Sequence, residues 1–252
     1  MVKRIGVLDG SKTFSMLMFV LLRRMGFEVT LFESLDQLEK ASVEDIDLLF
    51  VGGDKTSGPS AEETIKYLKS IYGSSKKIIV VSTISDQRVV INAKIAGASG
   101  YIFKPIQIRS LHEAIAKNVI YDTGRRHNLR SSLGIKAKTN ISEVYSIMPI
   151  NSLSRGGLLL GTEGSMPPNT QVSVDLSFAG VRREVLGAVI YNRKNCYGAH
   201  SGTAVLFKGL SAREGDTIDG YLENDLILSV RRSVPSDKVM SAGFLFPRSS
   251  TP

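Results

Sequence analysis

The sequence predicts an α/β domain, a doubly wound five-stranded parallel sheet, followed by a small antiparallel β-barrel with a C-terminal helix. In the first half, short apolar runs alternate strictly with amphipathic segments of helical period, which is the pattern of βαβ units. In the second half, short strand-like runs are separated by Gly, Asn, Pro and Ser, as in small barrels. The 252 residues are enough for two domains of ordinary size.

Apolar runs in the first half predict strands at 5–8, 28–32, 48–51, 78–81 and 100–103. The amphipathic segments predict helices at 13–25, 35–41, 61–72, 87–96 and 108–121. In a sheet of this kind, ligands and chemistry lie beyond the carboxyl ends of the strands. The residues at those ends are Asp9, Gly52, Ser82 and Lys104.

The pattern changes after Tyr121, where hydrophobic periodicity stops. Strand-like runs then occur at 142–149, 157–160, 170–178, 184–191 and 202–207. A helix is predicted from about 212 to 230, although Gly215 and Gly220 weaken that prediction. The predicted domains are 1–122 and 123–232, with a linker at 123–131 and a loosely ordered tail at 233–252.

Composition excludes several classes of protein. The only cysteine, Cys196, cannot form an internal disulfide, and three scattered histidines cannot complete a zinc cluster. The longest apolar run, 16–22, is far shorter than the ~18–20 residues of a bilayer span. We therefore expect a cytoplasmic protein with no membrane partner and no cofactor.

The net charge of +8 is unevenly distributed. Residues 1–122 carry 16 basic and 14 acidic side chains, whereas residues 123–252 carry 16 basic and 10 acidic ones. An anionic partner is therefore more plausible for the second half, although excess charge alone is as often a solubility feature.

The strand that ends at Val81 is followed by the run Gly97-Ala-Ser-Gly-Tyr-Ile-Phe-Lys-Pro105. This run resembles the signature of response-regulator receiver domains, and the resemblance covers residues 3–121. The resemblance implies that Ser82 is the switch hydroxyl and Tyr101 the switch aromatic. It also implies that Lys104 is the invariant lysine, before a proline that is often cis.

The chemistry of a receiver is incomplete in this sequence. Aspartyl phosphorylation needs an acid pair for Mg²⁺ after the first strand and an acceptor aspartate after the third. The pair reads Asp9-Gly10, and Gly52 stands at the acceptor position. Asp54 is a candidate displaced acceptor, but in-line transfer depends on positioning. We therefore expect Asp9 and Lys104 to form a relict structural ion pair.

A receiver without its acceptor retains the face formed by helix 4, strand 5 and helix 5, which that family uses for dimerisation and docking. Four isoleucines are candidates for this face, although core packing explains most of them more simply: Ile91, Ile95, Ile102 and Ile108. The expected partners include a downstream protein and a second copy of the chain.

The second half carries two short motifs. Arg125-Arg126-His-Asn-Leu-Arg130 is followed about twenty residues later by Asn151-Ser-Leu-Ser-Arg-Gly-Gly157. Each has a simple explanation alone, as a solvated linker and a plain turn. Together they resemble the PilZ domain, the bacterial cyclic di-GMP receptor, whose pattern is Arg-x-x-x-Arg followed by Asp/Asn-x-Ser-x-x-Gly.

Arg126 and Arg130 fit the first motif, with Arg125 as the extra arginine, and Ser154 and Gly157 fit the second. A guanidinium group can bind guanine O6 and N7 together or bind phosphate with two bonds. Ser154 can bond phosphate or base, and Gly157 permits a tight turn.

One position departs from the motif, because Ser152 stands where the family has Asp or Asn. This lowers the expected affinity unless Asn151 substitutes. Arg155, in the same turn, is a candidate for a phosphate contact.

The two resemblances together imply a non-enzymatic cyclic di-GMP effector, and we expect nucleotide binding to order the linker and rearrange the domains. A phosphorylation-switched response regulator is one alternative, disfavoured by Gly10 and Gly52. A barrel that has lost its ligand and contacts only proteins is another. Nucleic-acid binding, suggested by arginine pairs such as Arg182-Arg183 and Arg231-Arg232, lacks a recognition motif.

Overall fold

The computed structural model describes residues 3–41, 45–54, 59–83, 87–119, 128–178, 181–193 and 201–233. The described parts of the chain divide into two compact units. Among the described residues, the first unit contains those up to 23, those from 27 to 119 and those from 227 to 233, and the second contains 24–26 and those from 128 to 226. The domain limits inferred from the sequence stay predictions.

The first unit is built on a parallel sheet with the strand order β2-β1-β3-β4-β5. Its strands are β1 (Arg4–Leu8), β2 (Glu28–Phe32), β3 (Leu48–Gly52), β4 (Lys77–Ser82) and β5 (Gly100–Phe103). Its helices are α1 (Lys12–Arg24), α2 (Leu35–Lys40), α3 (Ala61–Tyr72), α4 (Gln87–Ile95) and α5 (Ile108–Asn118). This order is that of the flavodoxin-like folds, which confirms the predicted doubly wound sheet.

The residues of the central strands are buried on both faces, as a parallel sheet covered by helices requires. On one face, Leu49, Val51 and Val80 pack against Ile65 and Leu68 of α3. Two of the helices begin at serine caps, Ser34 and Ser60, and Ser60 forms a full capping box with Glu63. These helices hold the strand ends in place beneath the candidate site.

The second unit contains an antiparallel barrel. Its strands are β6 (Arg130–Ser131), β7 (Ile135–Ile141), β8 (Val144–Ser154), β9 (Gly157–Leu160), β10 (Gln171–Phe178), β11 (Val181–Arg193) and β12 (Gly202–Phe207). Six of them close a ring in the order β8-β7-β10-β11-β12-β9, because β9 pairs with both β12 and β8. The short strand β6 pairs with the last residues of β8 on the edge opposite β9, the edge that β7 occupies earlier in β8. The helix α6 (Ala212–Ser233) follows.

Two glycines allow the barrel to close. A β-carbon on Gly157 would overlap the carbonyl oxygen of Val205, and one on Gly202 would overlap that of Leu160. Gly202 also has a φ of +155°. The strands β9 and β12 therefore approach each other closely only because both residues lack a side chain.

The fold class inferred from the sequence is confirmed, but the second unit contains strands that were not predicted. Strand β7 precedes the first predicted strand, and the predicted strand 142–149 begins in the turn at Ser142 and Glu143. Helix α6 forms despite Gly215 and Gly220 and continues to Ser233. No helix among the described residues is long and apolar enough to cross a bilayer.

Candidate functional site

A cluster of polar side chains lies at the carboxyl ends of the first unit's strands. The ammonium group of Lys104 lies 2.8 Å from Asp54 Oδ2 and 3.7 Å from Asp9 Oδ2. Its Nζ also lies 4.0 Å from the ring centre of Phe14, a cation–π contact. Lys104 is 7% exposed, so this charge is balanced inside the protein rather than by water. The peptide bond from Lys104 to Pro105 is cis.

Asp54 takes most of the hydrogen bonds in this cluster. Its Oδ1 accepts from the hydroxyls of Ser82 and Thr83 and from the Thr83 backbone N–H, each at 2.7 Å. Burial alone would raise the pKa of Asp54, but the bonds from Lys104, Ser82 and Thr83 outweigh it and lower that pKa to about 2. Asp54 is therefore a bound carboxylate that joins the ends of β3, β4 and β5.

The pKa of Asp9 shifts in the opposite direction from that of Asp54, although both carboxylates face Lys104. Burial raises the pKa of Asp9, against bonds from the Ser11 N–H and the attraction of Lys104 that lower it. Lys104 thus forms a short ion pair with Asp54 and a longer one with Asp9. The expected pairing of Asp9 with Lys104 is present, but the sequence analysis missed the central place of Asp54.

Gly52 ends β3 directly beside Asp9. A β-carbon on Gly52 would overlap Asp9 Oδ2. The predicted acceptor position therefore has neither a side chain nor room for one while Asp9 stays in place. Gly10 follows Asp9 in the same cleft.

The cleft around these residues has a volume of about 200 Å³. Its lining includes Asp9, Gly10, Glu33, Gly52 and Asp54. Pockets for drug-sized ligands are typically about 300–1,000 Å³. The volume of this cleft lies below that range.

The candidate docking face of the first unit contains both exposed and buried side chains. Ile91 and Ile95 of α4 are exposed, as is Phe103 of β5, whereas Ile102 and Ile108 are buried. Tyr101 packs on Phe103 with ring centres 5.0 Å apart. Burial raises the pKa of Tyr101, while a hydrogen bond with Ser82 lowers it. Two of the four isoleucines are thus available for a partner and two belong to the core.

In the second unit, the two short motifs meet through strand pairing. β6 pairs with β8 so that Arg130 lies directly opposite Ser154, and Ser154 in turn lies opposite Gly157 of β9. The side chain of Asn128 lies beside Gly156, within the turn that joins β8 to β9. Arg130 therefore lies next to the turn between Ser154 and Gly157, although it precedes that turn by more than twenty residues in the sequence. Arg125 and Arg126 lie outside the described residues.

The two serines of the motif are buried. Ser152 is 8% exposed and Ser154 4% exposed. The hydroxyl of Ser154 donates to the carbonyl of Gly157 at 3.0 Å, closing the turn. Asn151, the candidate substitute for Ser152, donates from Nδ2 to the Ser201 carbonyl. In this structure the Ser154 side chain closes the β8–β9 turn, and the Asn151 side chain binds the residue that precedes β12.

Arg155 is bound to α6. Its NH1 donates to Asp216 at 2.8 Å and to Asp219 at 3.2 Å, and its NH2 donates to the Ala212 carbonyl. A β-carbon on Gly215 would overlap Arg155 Nε, so this glycine lets the guanidinium group lie against the helix. Arg155 thus fastens the first turns of α6 to the β8–β9 turn, a role the sequence analysis did not identify.

The described residues contain no group of three metal-ligating side chains. No protein-family model matches the chain, and no curated protein matches it. Solved structures match its N-terminal half. One is a CheY-like receiver domain protein from Methanospirillum hungatei, with 24% identity, 46% of this chain and 91% of that chain covered, and a TM-score of 0.42.

Two more solved structures match the same half of the chain. A response regulator from Thermotoga maritima has 26% identity over 48% of this chain and 100% of that chain, with a TM-score of 0.41. A chemotaxis protein from Vibrio cholerae has 17% identity over 47% of this chain and 100% of that chain, with a TM-score of 0.43. The fold of the first unit is shown by its own strand order, which is that of flavodoxin-like sheets.

Proposed function

We propose that this chain is a signalling effector of the response-regulator type that binds cyclic di-GMP at its barrel and catalyses no reaction. The observation that carries the proposal is the placement of Arg130 opposite Ser154 across β6 and β8. Two motifs separated in the sequence become neighbours at one end of the barrel. A guanine dinucleotide has planar bases and phosphates that suit arginine side chains at such a place.

The first unit supports a role in signalling without phosphoryl transfer. Gly52 leaves the strand end without an acceptor, and Asp54 is engaged by Lys104, Ser82 and Thr83. A receiver-like unit of this kind acts as a protein-binding scaffold, and its partner would contact the exposed Ile91, Ile95 and Phe103.

The proposed mechanism uses the segment that leads into β6. Asn128 lies beside Gly156, and Ser131 donates from its hydroxyl to Asp225 of α6 at 2.7 Å. Nucleotide binding by the preceding arginines would order this segment against the barrel and change the arrangement of the two units. Small-angle scattering of the full chain with and without nucleotide tests this step. Unchanged scattering at saturation would leave binding intact but reject the rearrangement.

Calorimetric titration of the full chain with cyclic di-GMP tests binding itself. We expect Arg126→Ala and Arg130→Ala each to weaken binding roughly 5- to 150-fold, as loss of a bidentate base contact does. Ser152→Asp or Ser152→Asn is expected to tighten it. The control is Arg182→Ala, in β11 opposite Ser177, which should bind like the parent. Loss of binding in the control with normal binding by both arginine variants would refute the site.

A second candidate function is a barrel that contacts only proteins. Three observations favour it: Ser152 is buried, the Ser154 hydroxyl already donates to Gly157, and Arg155 is already bound by α6. The same titration separates the two candidates. A parent protein that gives no heat with cyclic di-GMP, in a folded state verified by circular dichroism, selects the protein-contact barrel.

A further inference from the structure

The hairpin of β7 and β8 exposes three large apolar side chains within four consecutive residues of β8, with Tyr145 and Ile147 on one face of the strand and Val144 on the other. Val144 and Ile147 are each 66% exposed and Tyr145 is 78% exposed. A short strand segment that presents this much apolar surface to water is typical of a surface that a partner covers. The inference that follows is independent of nucleotide binding.

On one edge of this segment, no described strand pairs with the backbone N–H and C=O groups. The two-residue turn at Ser142 and Glu143 has positive φ at both residues, so Ile141 and Val144 form the first hydrogen-bonded pair of the hairpin. Alternation then directs the backbone groups of Val144, Ser146 and Met148 toward β7 and those of Tyr145 and Ile147 away from it.

The next residue in this alternation confirms the direction. The carbonyl of Pro149 points away from β7 and accepts from the Gly161 N–H at 2.7 Å. The pairing of β8 with β9 begins only at Ile150. Within the described part of the chain, no backbone bond joins Tyr145 or Ile147 to a strand on this side. The edge is therefore open over a few residues and ends at a proline that has no N–H.

We propose that a second copy of this chain pairs with this edge, antiparallel and about a two-fold axis through Ser146. In this register Tyr145 faces Ile147 of the second copy, and each pair exchanges both of its backbone hydrogen bonds. Both contacts place an aromatic side chain against a β-branched one, a favourable cross-strand pair. A two-fold interface requires a self-complementary surface, and this edge meets that requirement.

The charges beside the edge suit a second copy in the same register. Lys136 lies opposite Pro149 across β7 and β8, and both are exposed. Two-fold pairing places Glu143 of the second copy next to Pro149, about 10 Å from Lys136 at the two-strand spacing. Long side chains bridge that distance, so each end of the interface brings a lysine and a glutamate together. Within one chain these residues lie at opposite ends of the hairpin.

The paired segment is short, so we expect the dimer to be weak. Interfaces that bury less than about 1,200 Å² form weak or transient complexes. We therefore expect a monomer–dimer equilibrium that depends on concentration over the micromolar range, measured by sedimentation equilibrium of the full chain.

Two edge variants test the contact. Ile147→Lys introduces like charges across the axis, and Ile147→Pro removes the outward N–H while leaving the bonds to β7 in place. Each should weaken dimerisation at least tenfold. The matched control is Leu186→Lys, since Leu186 is 60% exposed on a barrel strand that is paired on both sides. Circular dichroism verifies that the variants fold.

A charge exchange distinguishes a second copy from any other partner. Lys136→Glu and Glu143→Lys should each weaken the dimer, and the double variant should restore it, because the two residues meet only between copies. A parent that is monomeric at all concentrations overturns the proposal. So does a dimer that survives both Ile147 substitutions, which would place the interface elsewhere, or a double variant that dimerises no better than the singles.

Discussion

Lys104 and Asp54 form a short ion pair, with 2.8 Å between Nζ and Oδ2, and the same ammonium group lies 3.7 Å from Asp9. One buried cation therefore faces two carboxylates at the ends of neighbouring strands. Removing it leaves two like charges with little solvent between them.

This arrangement makes the loss of Lys104 more costly than the loss of Asp54. We expect Lys104→Met to lower the free energy of unfolding by about 3–5 kcal/mol, as when one partner of a buried pair is removed. The double variant Lys104→Met/Asp54→Asn should be more stable than Lys104→Met, because one stranded carboxylate is gone. Urea unfolding of the parent, Lys104→Met, Asp54→Asn and the double variant measures this. A double variant less stable than the single variant contradicts it.

The pH dependence of stability follows from the lowered pKa of Asp54, about 2 against an ordinary value of 3.8. A carboxyl whose pKa is lower in the folded state stabilises the fold above its unfolded pKa, and that contribution is lost as pH falls through the folded value. The stability difference between the parent and Asp54→Asn should thus be constant above about pH 4 and shrink from there toward pH 2.

Urea unfolding at intervals from pH 2 to 6 checks this, with Asp36→Asn as the control at an exposed position in α2. A difference that grows as the pH falls would show that the sign is wrong.

Phosphorylation should not occur. Incubation with a small phosphodonor and Mg²⁺ is expected to leave the intact mass unchanged, because Gly52 offers no oxygen and both Asp54 oxygens accept hydrogen bonds. Intact-mass spectrometry measures this directly. A hydroxylamine-sensitive mass increase located at Asp54 would show that its carboxylate leaves Lys104 and acts as a nucleophile.

The close approach of β9 and β12 makes Gly157 sensitive to substitution. Gly157→Ala should lower the free energy of unfolding by about 1–3 kcal/mol, the range for overpacking, since its β-carbon meets the Val205 carbonyl. Gly164→Ala is the control, because no atom lies within 4 Å of a β-carbon there. Thermal unfolding compares the two variants. Equal midpoints would indicate that the strands adjust at no cost.

Binding to duplex DNA should be weak and should fall steeply with salt through counterion release, as expected for the basic second half. Cyclic di-GMP binding should change much less over the same salt range. Fluorescence anisotropy with labelled DNA, from low to physiological salt, provides the comparison. Tight, sequence-specific DNA binding without nucleotide would reverse the order of these functions.

The first unit was predictable because its apolar runs and helical stripes repeat with clear periods. The strand β7 was not, since Lys136, Lys138 and Asn140 make the segment look polar. The alternation of Ile135, Ala137 and Thr139 is the signal that identifies it, because these residues turn inward in sequence steps of two.

The candidate sites were predictable only in part. The predicted strand ends and the receiver resemblance pointed to Ser82 and Lys104, but the residue count placed Asp54 out of reach, because it does not encode the path of a loop. In the barrel, Arg130 and Ser154 of the two motifs lie opposite each other, and their role in binding stays a prediction. No local signal could show that Asp216 and Asp219 bind Arg155, since these residues are about sixty positions apart in the chain.

Gly52 and Asp9 share one small volume, in which the carboxylate of Asp9 fills the space that a side chain on Gly52 would need. Introducing an aspartate at position 52 would force Asp9 away from Lys104 and bring a third acid beside Asp54. An acidic side chain at position 52 therefore requires a second change that moves or replaces Asp9, so the ends of β1 and β3 tolerate substitution only as a pair.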